Sequence, residues 1–164
     1  MKYYTGIGSR KTPRNILGIM TTIAIKLEKE GYILRSGGAE GADKAFEEGI
    51  AHSTNKNIFY ANDATPEAML LASTYHPAWD RCSDYAKKLH GRNAFQILGR
   101  DLKTPSKFVI CWTPDGCTTH KDRTIQTGGT GTAISIADYH QVEVFNLAKK
   151  EHFDRLSAWL NKGK

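Results

Sequence analysis

Apolar positions along the chain switch repeatedly between two periods. Residues 2–7 and 32–35 are short runs rich in aromatic and β-branched side chains, the composition of strands. Between them Ile16, Ile19, Met20, Ile23 and Leu27 recur at spacings of three and four, which puts them on one helical face. Thr12-Pro13 predicts the start of that helix, with threonine as the cap and proline in the first turn, and Gly31 predicts its end. A second helix is expected to about residue 52, a third strand at 57–61 and a short helix at 66–73. Residues 83–102 are helical in pattern with a break expected at Gly91. The uninterrupted apolar run at 106–112 predicts a buried strand. A helix to about His140, a fifth strand at 142–147 and a last amphipathic helix carrying Phe153, Leu156, Trp159 and Leu160 complete the pattern. Strands alternating with helices predict one α/β domain: a Rossmann-like, doubly wound parallel sheet of about five strands with helices on both faces.

Three glycine-rich segments each follow a predicted strand and precede a helix, so all three belong on the carboxyl edge of the sheet, where such folds collect ligands. The first holds Gly6, Gly8, Ser9 and Arg10. The second holds Ser36, Gly37, Gly38, Gly41 and Asp43, and the third holds Thr127, Gly128, Gly129, Thr130, Gly131 and Thr132. Glycine lets a phosphate or ribose approach backbone N–H groups, and a following helix N-terminus favours negative charge. Thr113 joins the set at the end of the buried strand. Arg92-Asn93, after Gly91, offers further donors ahead of an expected helix start. Arg10 and Arg92 suit a phosphate, and Asp43 suits a ribose hydroxyl. Neither glycine pair is followed by the Lys-Ser/Thr of a Walker loop. Tyr75, Trp79 and Tyr85 are candidates for stacking on a base or for packing.

Charge sharpens this picture. Among 164 residues, 23 Lys and Arg outweigh 17 Asp and Glu, for a net +6 that favours an anionic partner. No run approaches the roughly 18 apolar residues of a membrane span, and no apolar signal region follows Met1. The three cysteines, Cys82, Cys111 and Cys117, cannot all pair and form no CxxC motif, so a cytoplasmic setting is expected over a disulfide framework. Cys117 and His120 share a loop without a second ligand pair, so no metal site and no cofactor are expected.

These segments, in this order, resemble the DNA-processing protein A (Smf) family: Gly8-Ser9-Arg10, then residues 36–45, then Arg92-Asn93 before Ile97-Leu98-Gly99, then the unit from Gly128 to the fifth strand. His90-Gly91-Arg92 and Gly128-Gly129-Thr130-Gly131-Thr132 are also similar to motifs of the LOG phosphoribohydrolases. Both groups belong to the SLOG superfamily, whose small stand-alone members are common in phage genomes. The resemblance implies a pocket for a nucleotide-like small molecule and homo-oligomers paired through exposed helices. In this group such pockets also sense nucleotide signals of antiviral defence, including cyclic ADP-ribose derivatives. LOG enzymes carry a glutamate three residues after the motif threonine, where this chain has Ser135. That departure favours binding or sequestration over N-glycosidic hydrolysis and leaves the catalytic residues unassigned, with Arg92 and Asp43 as candidates and Asp43 or Asp115 as the substitute acid. Single-stranded nucleic-acid binding is the third reading, through the likeness to DNA-processing protein A.

Overall fold

The computed structural model describes residues 1–162. Five strands, β1 (Lys2–Gly6), β2 (Tyr32–Ser36), β3 (Lys56–Ile58), β4 (Phe108–Cys111) and β5 (Glu143–Asn146), form one sheet in the order β3-β2-β1-β4-β5. Every pairing is parallel. Each β–helix–β crossover returns the chain to the same edge, so all strands point one way. Helices α1 (Arg14–Lys29), α2 (Ala42–Glu48) and α6 (Lys150–Asn161) cover one face, and α3 (Pro66–Ser73), α4 (Asp84–Leu98) and α5 (Thr130–Tyr139) cover the other. The fold is a Rossmann-like, doubly wound α/β sheet, as its alternating pattern predicts.

Successive strand residues feed opposite layers. Val109 and Cys111 enter the α3–α4–α5 core, and Ile110 between them enters the α1–α2–α6 core. Ile16, Met20, Ile23 and Leu27 form the buried stripe of α1 that their spacing predicts. Trp159 and Leu160 of α6 pack against the same core, and the Lys26 ammonium sits 4.3 Å from the centre of the Trp159 ring.

Several local expectations need correction. Thr12 does not cap α1: its hydroxyl donates to Ser9 O at 2.6 Å, and Pro13 occupies the cap position without a side-chain bond. The second helix stops at Glu48 because Gly49 runs against α1, where a Cβ would lie 2.5 Å from Thr21 O. Strand β3 is limited to Lys56–Ile58. Helix α4 runs unbroken through Gly91, since that glycine makes room for α3: a Cβ there would meet Met69 Cγ at 2.7 Å.

Gly6 is a packing residue of the same kind. A Cβ on it would lie 2.6 Å from the Phe46 ring, beneath the first glycine turn. Gly6→Ala is expected to destabilise the protein by about 1–3 kcal/mol through overpacking, measured by urea denaturation.

Candidate functional site

Strand order reverses between β1 and β4, and the chain leaves both strands at the same edge. Hydrogen bonds from Ile7 N to Ile110 O (3.1 Å) and from Ser9 N to Trp112 O (3.0 Å) carry the β1–β4 pairing into the first turn. The second turn presses against it. A Cβ on Gly8 would lie 2.8 Å from the Ala42 Cβ, and one on Gly41 would lie 2.9 Å from both Ser9 O and Arg10 Cα. Ser36 ties the two turns from below by donating to Gly6 O at 2.6 Å. Gly38 takes a left-handed φ of 72° and faces Ile58 and Tyr60. Arg10 projects exposed from this rim.

Asp43 does not face the opening. It is 5% exposed, and Oδ2 accepts from the Ala39 N–H at 3.2 Å. Burial pushes its carboxyl up from the ordinary 3.8 to about 6, although Arg92 and the N–H groups of Ala39, Gly8 and Gly37 pull the other way. A buried carboxylate thus faces backbone N–H groups of the first two turns.

Arg92 and Asn93 lie in the middle of α4, not at a helix start. Arg92 Nη1 donates to Gly37 O (2.9 Å) and Phe59 O (3.2 Å), and Nε donates to Asn93 Oδ1 (3.2 Å). A Cβ on Gly37 would crowd Arg92 Nη1, so a side chain there would displace the guanidinium. Asn93 Nδ2 donates in turn to Gly129 O at 3.0 Å. Two adjacent side chains therefore join the second turn to the third.

The third turn divides into committed and open residues. Thr113 Oγ1 donates to Asp115 Oδ1 (2.8 Å), and Thr124 (2.7 Å) and Thr127 hydroxyls donate to Asp115 Oδ2. Partial burial raises the Asp115 carboxyl, but these hydroxyl donors outweigh it and hold the group below the usual range. Thr113 and Thr127 are accordingly spent on Asp115, and Asp115 is not a free acid. Thr132 Oγ1 pairs with His90 Nδ1 at 2.9 Å. Gly131 admits an arginine that the sequence reading did not single out: a Cβ there would lie 2.6 Å from Arg123 Nε. Arg123 Nη1 donates to Tyr75 O (2.6 Å) and Ser135 Oγ (3.0 Å), and His120 Nδ1 lies 2.6 Å from the same hydroxyl. Ser135 is buried beneath this pair. The only sequence trace of the arrangement is one arginine in an otherwise polar loop.

Gly128 and Gly129 are different. Both are exposed, and a Cβ on either would meet nothing within 4 Å. Gly128 has a φ of 65°, which by itself favours glycine. Gly129 has helical dihedrals (φ −63°, ψ −24°) and caps α5 without any side-chain bond. Neither packing nor backbone conformation requires a glycine there. Thr130 sits half-buried beside it.

Comparison with protein-family models, with characterised proteins and with solved structures returned no match. Fold and geometry define the class: a doubly wound α/β protein whose three glycine-rich turns meet at the switch point of the sheet. A cavity of about 490 Å³ lies elsewhere, lined by Tyr3, Arg35, Lys56 and Arg100 among others, and shares no residue with the three turns.

Ionisation of Asp43 carries a stability cost. Its pKa is higher folded than unfolded, so the native state holds the extra proton and stability falls as pH rises from about 4 to about 6. Relative to Asp43→Asn, the wild type is expected to lose about 3 kcal/mol across that window and to run parallel above it, measured by urea denaturation at a series of pH values.

Proposed function

We propose that this chain binds a phosphorylated, nucleotide-derived small molecule on the carboxyl edge of its sheet, holding it without turnover. The observation that carries this reading is Gly129: an exposed glycine with no conformational or steric need to be one, at the uncapped start of a ten-residue helix. A guest anion close to the backbone supplies the missing reason. The first-turn N–H groups of α5 and the positive end of its dipole would receive the phosphate. Arg10, exposed on the neighbouring turn, supplies a further cation, while the base and ribose lie across the first two turns.

Charge directs the anion to the third turn. Asp43 already accepts from the Ala39 N–H and faces those of Gly8 and Gly37, and a phosphate beside its carboxylate would be repelled. Arg92 and Asn93 act here as braces for the rim rather than as the main phosphate ligands. Binding without turnover is favoured because Asp43 is withdrawn from solvent, Asp115 is held by hydroxyl donors, and Ser135 stands where the LOG family carries glutamate. Sensing or sequestration is the outcome such a site supports. SLOG membership, a cytoplasmic setting and self-association through exposed helices belong to the same proposal, and cyclic ADP-ribose derivatives fall within its ligand class.

Gly129→Leu separates binding from folding, because its side chain enters open space. The variant should keep its unfolding free energy to within about 1 kcal/mol while losing binding. Calorimetric titration with AMP, ADP-ribose, NAD and cyclic nucleotides reads the affinity. Wild-type binding tighter than millimolar, abolished in Gly129→Leu with the ligand recovered intact, is the expected result. No binding to any of the panel, equal binding by the variant, or release of free base would overturn the proposal. Oligonucleotides that outbind mononucleotides at physiological salt would favour the nucleic-acid reading instead.

A further inference from the structure

Three potential metal ligands meet beside α5 on a part of the chain that the glycine turns do not use. His76 lies in the loop after α3, Cys82 follows the short 3₁₀ turn Trp79–Arg81, and His90 projects from the second turn of α4. One ligand atom from each lies within 4.8 Å of the others, the one such group of three among the described residues. The two imidazole centroids are 4.5 Å apart, and Trp79 flanks both rings at 6.1 and 6.2 Å. Cys82 Sγ is 3.5 Å from His76 Nε2 and 3.9 Å from Nδ1.

We propose that His76, Cys82 and His90 form a three-ligand site for a thiophilic divalent cation, zinc above all, with the fourth coordination position left to solvent or an added ligand. In a tetrahedral zinc site, bonds of about 2.3 Å to sulfur and 2.0 Å to nitrogen set sulfur and nitrogen about 3.5 Å apart. The Cys82 Sγ–His76 Nε2 separation of 3.5 Å matches that value. His90 has one ring nitrogen engaged. Its Nδ1 is hydrogen-bonded to Thr132 Oγ1 at 2.9 Å, which leaves Nε2 as the nitrogen free to ligate. Here a hydroxyl takes the place of the carboxylate, carbonyl or water that usually holds the other nitrogen of a ligating histidine. His76 Nδ1 accepts the Ala78 N–H at 3.0 Å. A metal on Nδ1 replaces that donor, and a metal on Nε2 requires the ring proton to move to Nδ1, which breaks the bond from Ala78.

The donor set decides the kind of cation. One thiolate and two imidazoles suit zinc, whereas calcium and magnesium require oxygen ligands that are absent from the trio. The Arg123 guanidinium stands nearby, bonded to Tyr75 O and Ser135 Oγ. A thiolate is therefore needed to offset positive charge, and Cys82 is the ligand on which affinity should depend most. Thr132 also belongs to the first turn of α5, so this centre adjoins the proposed anion site. It does not require that site to be occupied.

The test is metal content and thiol protection of the full chain. Purified protein is loaded with zinc chloride, dialysed and assayed by elemental mass spectrometry, and cobalt is substituted to look for the charge-transfer absorption of a cobalt–thiolate bond. One zinc per chain, a cobalt–thiolate band and at least tenfold weaker binding in Cys82→Ser and His90→Gln are expected. Zinc should also slow alkylation of Cys82 in the wild type, leaving the buried Cys111 and Cys117 as internal controls. This readout needs no variant to fold and no nucleotide to bind. Wild type that retains no zinc, a Cys82→Ser variant that binds as tightly, or alkylation of Cys82 unaffected by zinc would overturn the assignment.

Discussion

Two neighbouring side chains in the middle of α4 hold the functional edge together. Arg92 reaches back to Gly37 O and Phe59 O, while Asn93 reaches forward to Gly129 O and accepts from Arg92 Nε. The glycine turns belong to different crossovers: the first two lead to one face of the sheet and the third to the other. Their relative position is not dictated by the strands alone. The α4 pair supplies that missing constraint, and it explains why Gly37 cannot carry a side chain. Both residues are largely withdrawn from water, so their hydrogen bonds are hard to replace by solvent.

The electrostatics of the edge follow from the same contact. Burying Arg92 next to Asp43 gives the carboxylate a partner, yet desolvation still lifts its pKa to about 6. A buried acid aimed at the N–H groups of the first two turns makes them a poor place for a second anion. The third turn has its own carboxylate, Asp115, but that group accepts from the hydroxyls of Thr113, Thr124 and Thr127 and from no N–H of α5. An asymmetric edge results, with one side self-satisfied and the other open.

Periodicity made most of the architecture legible. Helix α3 falls on the residues expected, and the buried stripe of α1 follows directly from spacing. Errors arose where a residue type has two physical uses. Gly91 reads as a helix breaker, but inside α4 it provides close approach to Met69; Thr12 reads as a cap, but its hydroxyl turns back to Ser9. The site shows the same ambiguity. Gly6, Gly37, Gly129 and Gly131 look alike in a motif, although the first makes room for Phe46, the second for Arg92 and the last for Arg123, and only Gly129 faces open space. Whether Asp43 points outward or inward depends on burial, which no local pattern encodes. His76, Cys82 and His90, separated by six and eight residues, match no familiar ligand spacing and become neighbours only when α3, the 3₁₀ turn and α4 pack together.

Amide hydrogen exchange in Asn93→Ala tests most directly whether α4 holds the edge in place. Loss of the bond to Gly129 O should speed exchange at residues 128–132, leaving the amides of β1 and β4 as protected as in the wild type. Unchanged exchange across residues 128–132, or uniform loss of protection throughout the sheet, would contradict the bracing role assigned to α4.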